Sequence, residues 1–137
     1  MTTTAYDMII SSTFDSIKTM IPGTFLDLEI SRFAAVEVGI IGEVKGSLLI
    51  EGDEEIFKDF GLKLYGMALE GEMLHSFIGE FANMAAGQMA TSLSSKGIKL
   101  DITTPRLVGK SDAHQSQAEK QEGSLKVSFT AENSLFA

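Results

Sequence analysis

Residues 70–95 carry Leu74, Phe77, Ile78, Phe81, Met84, Ala85, Met89 and Leu93 at intervals of three or four, the spacing of one long amphipathic α-helix. Its apolar stripe must be covered by another layer, and the rest of the chain supplies β-rich runs that could do so. Lys96-Gly97 stops it.

Shorter elements surround this helix. Residues 4–21 place Met8, Ile9, Phe14, Ile17, Met20 and Ile21 in a helix-like pattern that Pro22-Gly23 ends. Residues 25–30 alternate Leu26, Leu28 and Ile30 against Asp27 and Glu29, as a strand does. The runs 36–42 and 46–50 flank Gly42-Glu43-Val44-Lys45-Gly46 and predict a hairpin whose apolar edge would be a liability if left unpaired. Asp53 can cap a second helix, with Glu54 and Glu55 in its first turn, that runs to about Gly66. After the long helix, 98–102, 106–109 and 124–130 read as strands. The polar stretch 110–123 reads as a mobile hairpin loop joining the last two.

The elements repeat. Gly23-Thr24-Phe25-Leu26-Asp27-Leu28 resembles Gly97-Ile98-Lys99-Leu100-Asp101-Ile102 at an offset of 74, and Gly46-Ser47-Leu48 resembles Gly123-Ser124-Leu125 at 77. The drift fits a longer second hairpin loop. The expectation is an α+β fold in a single domain over residues 1–137. Two pseudosymmetric helix-plus-three-strand halves, roughly residues 4–52 and 70–132, would form one antiparallel sheet with the long helices packed on one face.

Composition narrows the functional classes. With 137 residues, 44% hydrophobic and 22% charged, the chain suits one globular core. No apolar run approaches the roughly 18 residues of a membrane span, and the N-terminus lacks the basic region of a signal peptide, so a cytoplasmic protein is expected. The absence of cysteine excludes disulfides, thiolate metal sites and thiol nucleophiles. A net charge of −8 disfavours nucleic acid, which is bound through clustered Lys and Arg.

One constellation stands apart. Ser76, Glu80, Asn83 and Gly87 follow one another at four, three and four residues, which places them within roughly 60° of one another on the long helix. They are turned roughly 130° away from Phe81 at the centre of the apolar stripe. Polar residues on an exposed helical face are commonplace. Here, however, Asn83 is a mediocre helix former and Gly87 costs about 1 kcal/mol relative to Ala in a helix interior. Gly87 and its neighbours Ala85, Ala86 and Ala90 would keep the helix slim enough for another protein to approach its backbone.

Ser76-xxx-Glu80-xx-Asn83-xxx-Gly87 resembles the signature of the CheC/CheX/FliY family of CheY-phosphate phosphatases, and is most like CheX. The surrounding Gly79-Glu80-Phe81-Ala82-Asn83-Met84-Ala85-Ala86-Gly87, the later Ile102-Thr103-Thr104-Pro105 and the hairpin Gly39 to Ser47 extend the likeness over nearly the whole chain, except the loop 110–123. The resemblance implies a phosphatase of the aspartyl phosphate on a CheY-like receiver domain, with Asn83 positioning the attacking water and Glu80 docking on the receiver's active-site lysine. Ser76 and Gly87 would border the contact. It implies no cofactor bound by this chain, Mg²⁺ being expected in the partner receiver, and a homodimer formed through the sheets. CheC-like members carry the Glu-Asn pair on both pseudosymmetric helices. Here the offset of 74 sets Tyr6 opposite Glu80 and Ile9 opposite Asn83, so one site per chain is expected.

Other residues offer less. His75 and His114 are isolated, Ser11-Ser12 and Ser94-Ser95 lack a Gly-x-Ser-x-Gly context, and the glycines of the first hairpin open no helix. The competing readings are a non-catalytic module that binds a receiver or scaffold, and a structural subunit of a larger assembly such as a flagellar switch. Phosphate loss from a phosphorylated receiver separates the first of these from the phosphatase.

Overall fold

The computed structural model describes residues 4–27, 32–109 and 116–132. Helix α1 (Ala5–Met20) opens with a capping box in which Thr4 and Asp7 satisfy each other's backbone N–H groups. Strands β1 (Phe33–Gly42) and β2 (Gly46–Asp53) form the predicted hairpin, with Val36 opposite Ile50. The side chain of Asp53 accepts from the Glu55 N–H at 2.8 Å and so caps α2 (Glu54–Tyr65). Gly66, in the left-handed region at φ 73°, ends that helix. The long helix α3 (Gly71–Ser95) leads into β3 (Leu100–Ile102), β4 (Arg106–Val108), β5 (Ala118–Glu122) and β6 (Leu125–Ala131).

The six strands form one antiparallel sheet in the order β3-β1-β2-β6-β5, with β4 also paired to β1, and the fold is α+β. Alternation along the strands turns Val36, Val38 and Ile40, Leu48 and Ile50, and Leu125, Val127 and Phe129 to one face, where all are buried. The helices cover that face. α1 packs on α3, β5 and β6, while α3 reaches β1, β3 and β4 and α2 packs on α3 and β2. Phe57, Phe60, Phe77 and Phe81 interlock where α2 meets α3, with ring centroids 5.2–6.2 Å apart. Among the described residues, no helix is long and apolar enough to cross a membrane.

Four expectations change. Residues 25–27 are not a strand: Phe25 turns into the core against Phe14 and Phe60, and the Leu26 carbonyl accepts from the Ser124 N–H; residues 28–30 lie outside the described residues. The strand expected from residue 98 starts at Leu100, because the Ile98 N–H still bonds the Leu93 carbonyl at the end of α3. The stretch 110–123 is not loop throughout. Its residues 118–122 form β5, an outer strand whose exposed Glu119, Lys120 and Gln121 give it a loop-like composition, while residues 110–115 lie outside the described residues. The β1–β2 hairpin has no free edge: β3 and β4 pair along β1, and β6 pairs along β2.

Between β3 and β4 the outer ladder is interrupted at Thr103, whose N–H donates to the Gly39 carbonyl while its Oγ1 accepts from the Gly39 N–H. A Cβ on Gly39 would stand 2.6 Å from that Oγ1, so this close approach requires glycine.

Candidate functional site

The burial of α3 decides which of its residues are available. Leu74, Phe77, Ile78, Phe81, Ala82, Ala85, Ala86, Met89 and Leu93 are buried. On the opposite side Ser76, Glu80 and Asn83 are exposed and Gly87 is half-buried. The four therefore share one outward stripe, as their spacing requires. Ala85 and Ala86 do not belong to it. Both are fully buried, so their small size serves the interior of the molecule and not an approaching partner. A Cβ built on Gly87 would meet nothing within 4 Å, and the Gly87 carbonyl accepts from Thr91 Oγ1 at 3.1 Å.

Among the described residues, no side chain or backbone group hydrogen-bonds the Asn83 amide. Its carbonyl oxygen and both N–H donors therefore face solvent.

Glu80 has a neighbour that sequence reasoning missed. Tyr65, the last residue of α2, lies across a groove of about 430 Å³ that Ser76, Phe77 and Glu80 line from α3 and that Met67 and Met73 border. The Tyr65 ring meets Phe77 edge-on, with centroids 5.3 Å apart and planes at 75°. Partial burial raises the Tyr65 phenol above its ordinary range, and the nearby charge of Glu80 raises it further. Nothing in the sequence joins Tyr65 to Glu80, since their place on one groove depends on the angle at which α2 returns against α3. The one signal was Gly66, which marks where α2 must stop.

The corresponding positions of α1 have other surroundings. Ile9 is fully buried, and Tyr6 stacks on Phe129 at 5.3 Å. His75 is exposed on α3, and His114 lies outside the described residues. Glu54 and Glu55 are taken up in ion pairs with Lys58 at 3.7 and 3.3 Å. Among the described residues, no group of three His, Asp or Glu side chains could hold a metal ion.

A family model described as chemotaxis phosphatase CheX matches residues 34–130. A Thermotoga maritima protein named CheY-P phosphatase CheX is 35% identical over 98 residues, covering 69% of this chain and 63% of that protein, so the match spans less than two thirds of the relative. Chemotaxis protein CheX from Vibrio vulnificus superposes with a TM-score of 0.72 at 20% identity, over 95% of this chain and all of that one. The crystal structure of a CheX-CheY-BeF3-Mg²⁺ complex from Borrelia burgdorferi gives a TM-score of 0.67 at 20% identity, over 91% of this chain and 96% of that one.

Proposed function

Because this chain belongs to the CheX family of chemotaxis phosphatases, we propose that it dephosphorylates the aspartyl phosphate of a CheY-like receiver domain, with Asn83 and Glu80 completing the site. The observation that carries this reading is the unengaged Asn83 amide, one turn from Glu80 on the outward stripe of α3. A relative bearing the phosphatase name, and a similar fold crystallised with CheY, supply the context.

In the reaction, water attacks phosphorus in line with the aspartate carboxylate. A new P–O bond forms, the acyl P–O bond breaks, and orthophosphate leaves a free aspartate. Catalysis of such a transfer is mainly positioning and charge stabilisation. The receiver would bring the phosphoaspartate, its lysine and the Mg²⁺, and this chain would add the placement of the water. An amide suits that task, since its carbonyl accepts from water while its NH₂ donates to phosphoryl oxygen, and its neutrality avoids repelling the anion. Glu80 carries a charge that a phosphoryl group would repel, so its place is on the receiver's lysine, where an opposite charge orients the docked pair. Ser76 and Gly87 lie on the same stripe, at the border of the contact.

The test is phosphate release from a phosphorylated receiver with and without the protein. Asn83→Ala should lower the stimulated rate on the order of a hundredfold, as expected when a reacting group loses its orientation, while receiver affinity stays near that of the unaltered protein. Glu80→Lys should instead weaken docking. A rate untouched by Asn83→Ala would sink the assignment.

A further inference from the structure

Tyr65, Met67 and Met73 are 46%, 49% and 57% exposed, and all three line the α2–α3 groove together with the buried Leu69 and Phe77. A single exposed apolar side chain needs no explanation, but a cluster around a concavity does. We propose that this groove is a second anchor for the docked receiver: it takes an apolar side chain of the receiver against Met67 and Met73, with a neighbouring basic group of the receiver on Glu72. The inference rests on the phosphatase reading above and adds a recognition element outside the α3 motif.

The groove is held in shape before anything fills it. Gly66 and Gly71, at φ 73° and 56°, turn the chain out of α2 and into α3. Between them Leu69 is 2% exposed and packs so closely on α2 that a Cβ on Gly61 would stand 2.6 Å from its Cδ1. Lys58 of α2 pairs with Glu70 at 3.2 Å, and the Tyr65 ring rests edge-on against Phe77. A connector fixed at these points carries Met67 in place, so little ordering is left for the moment of docking. The unbranched methionines can adapt to the apolar side chain that arrives.

Position argues for the occupant. Met73 precedes Glu80 by seven residues, so it lies about 20° from Glu80 around α3 and about 10 Å along its axis. It is therefore on the outward stripe, and Ser76 and Glu80 belong to stripe and groove alike. A stable interface covers about 800 Å² of each partner, a patch about 30 Å across. Centred on Glu80 and Asn83, such a patch includes Met73, which is about 15 Å from Asn83 along the helix. A receiver seated on the stripe thus covers the groove, and filling it adds apolar burial to the contact. Charge is complementary as well. Glu72 and Glu80 are exposed on the groove lining, and among the described residues neither is in an ion pair.

Met67→Ser combined with Met73→Ser should weaken the Kd for a receiver loaded with Mg²⁺ and beryllium fluoride about tenfold, and the loss should persist at high salt. The urea midpoint should stay near that of the unaltered protein, because both side chains are half exposed. In turnover the same pair should raise KM with kcat little changed, since both residues stand away from Asn83. Glu72→Lys should weaken the Kd about fivefold at low salt and less at high salt. An unchanged Kd in the methionine variant, or a loss that salt abolishes, would overturn the apolar anchor, and an unchanged Kd in Glu72→Lys would overturn its basic neighbour. Should the methionine variant lose an oligomer that light scattering detects in the unaltered protein, the groove belongs to a second copy and the inference falls. If the unaltered protein binds the receiver but releases no phosphate, the phosphatase reading fails by itself, and the Kd comparisons still decide for the groove.

Discussion

Gly87 lies inside a 25-residue helix with open space where a side chain would stand, so nothing within the described molecule requires glycine there. Gly79, one turn before Asn83, is in the same position. Each gives up helix stability with no internal contact in return, which is what a surface kept low for an approaching partner would need. Gly87→Ala should therefore raise stability by up to about 1 kcal/mol, measured from the urea midpoint, while weakening affinity for the phosphorylated receiver. Higher stability with unchanged affinity would mean that no partner comes close at this point. At this scale the stripe was legible, because helical periodicity alone determines which residues share a face. Tyr65 was not, because it shares a groove with Glu80 only through the packing of one helix on another.

Among the elements, the glycines that opened the repeated Gly-Ser-Leu triplets have distinct structural reasons. A Cβ on Gly46 would collide with the Thr130 carbonyl and the Phe129 ring, so β2 and β6 approach closely only because that side chain is missing. Gly123 has φ 58° and abuts the Leu26 carbonyl, where a side chain would be strained and crowded at once. Gly46→Ala should cost about 1–3 kcal/mol, read as a lowered urea midpoint, because the obstructing carbonyl belongs to the sheet backbone and cannot rotate away. A midpoint equal to that of the unaltered protein would show that the β2–β6 ladder can open without penalty. β5 was misread from the sequence because an exposed outer strand and a loop both look polar, and only pairing tells them apart. β5 gains its identity from β6.

For the whole molecule, the helices take one face of the sheet, while Glu37, Ile41, Leu49 and Lys126, of opposite register, remain partly exposed. A homodimer through the sheets, expected from the family resemblance, would have to use this face or the outer strands, since the β1–β2 hairpin is already paired on both sides. Light scattering of the purified protein should then give twice the chain mass, and the mass of a single chain at working concentration would remove that expectation. The net charge of −8 adds a second check, because docking steered by an acidic surface onto basic groups should slow as salt rises.

Periodicity, caps and glycines are local properties, and by themselves they determined the long helix, the first hairpin, the Asp53 cap and the single stripe carrying Ser76, Glu80, Asn83 and Gly87. The strand order, the conversion of a polar stretch into an outer strand and the burial of Ala86 required the tertiary structure. So did the groove that brings Tyr65 to Glu80. Each of these depends on which distant segment covers a given surface, and a spacing of three, four or two residues specifies a face without naming its partner.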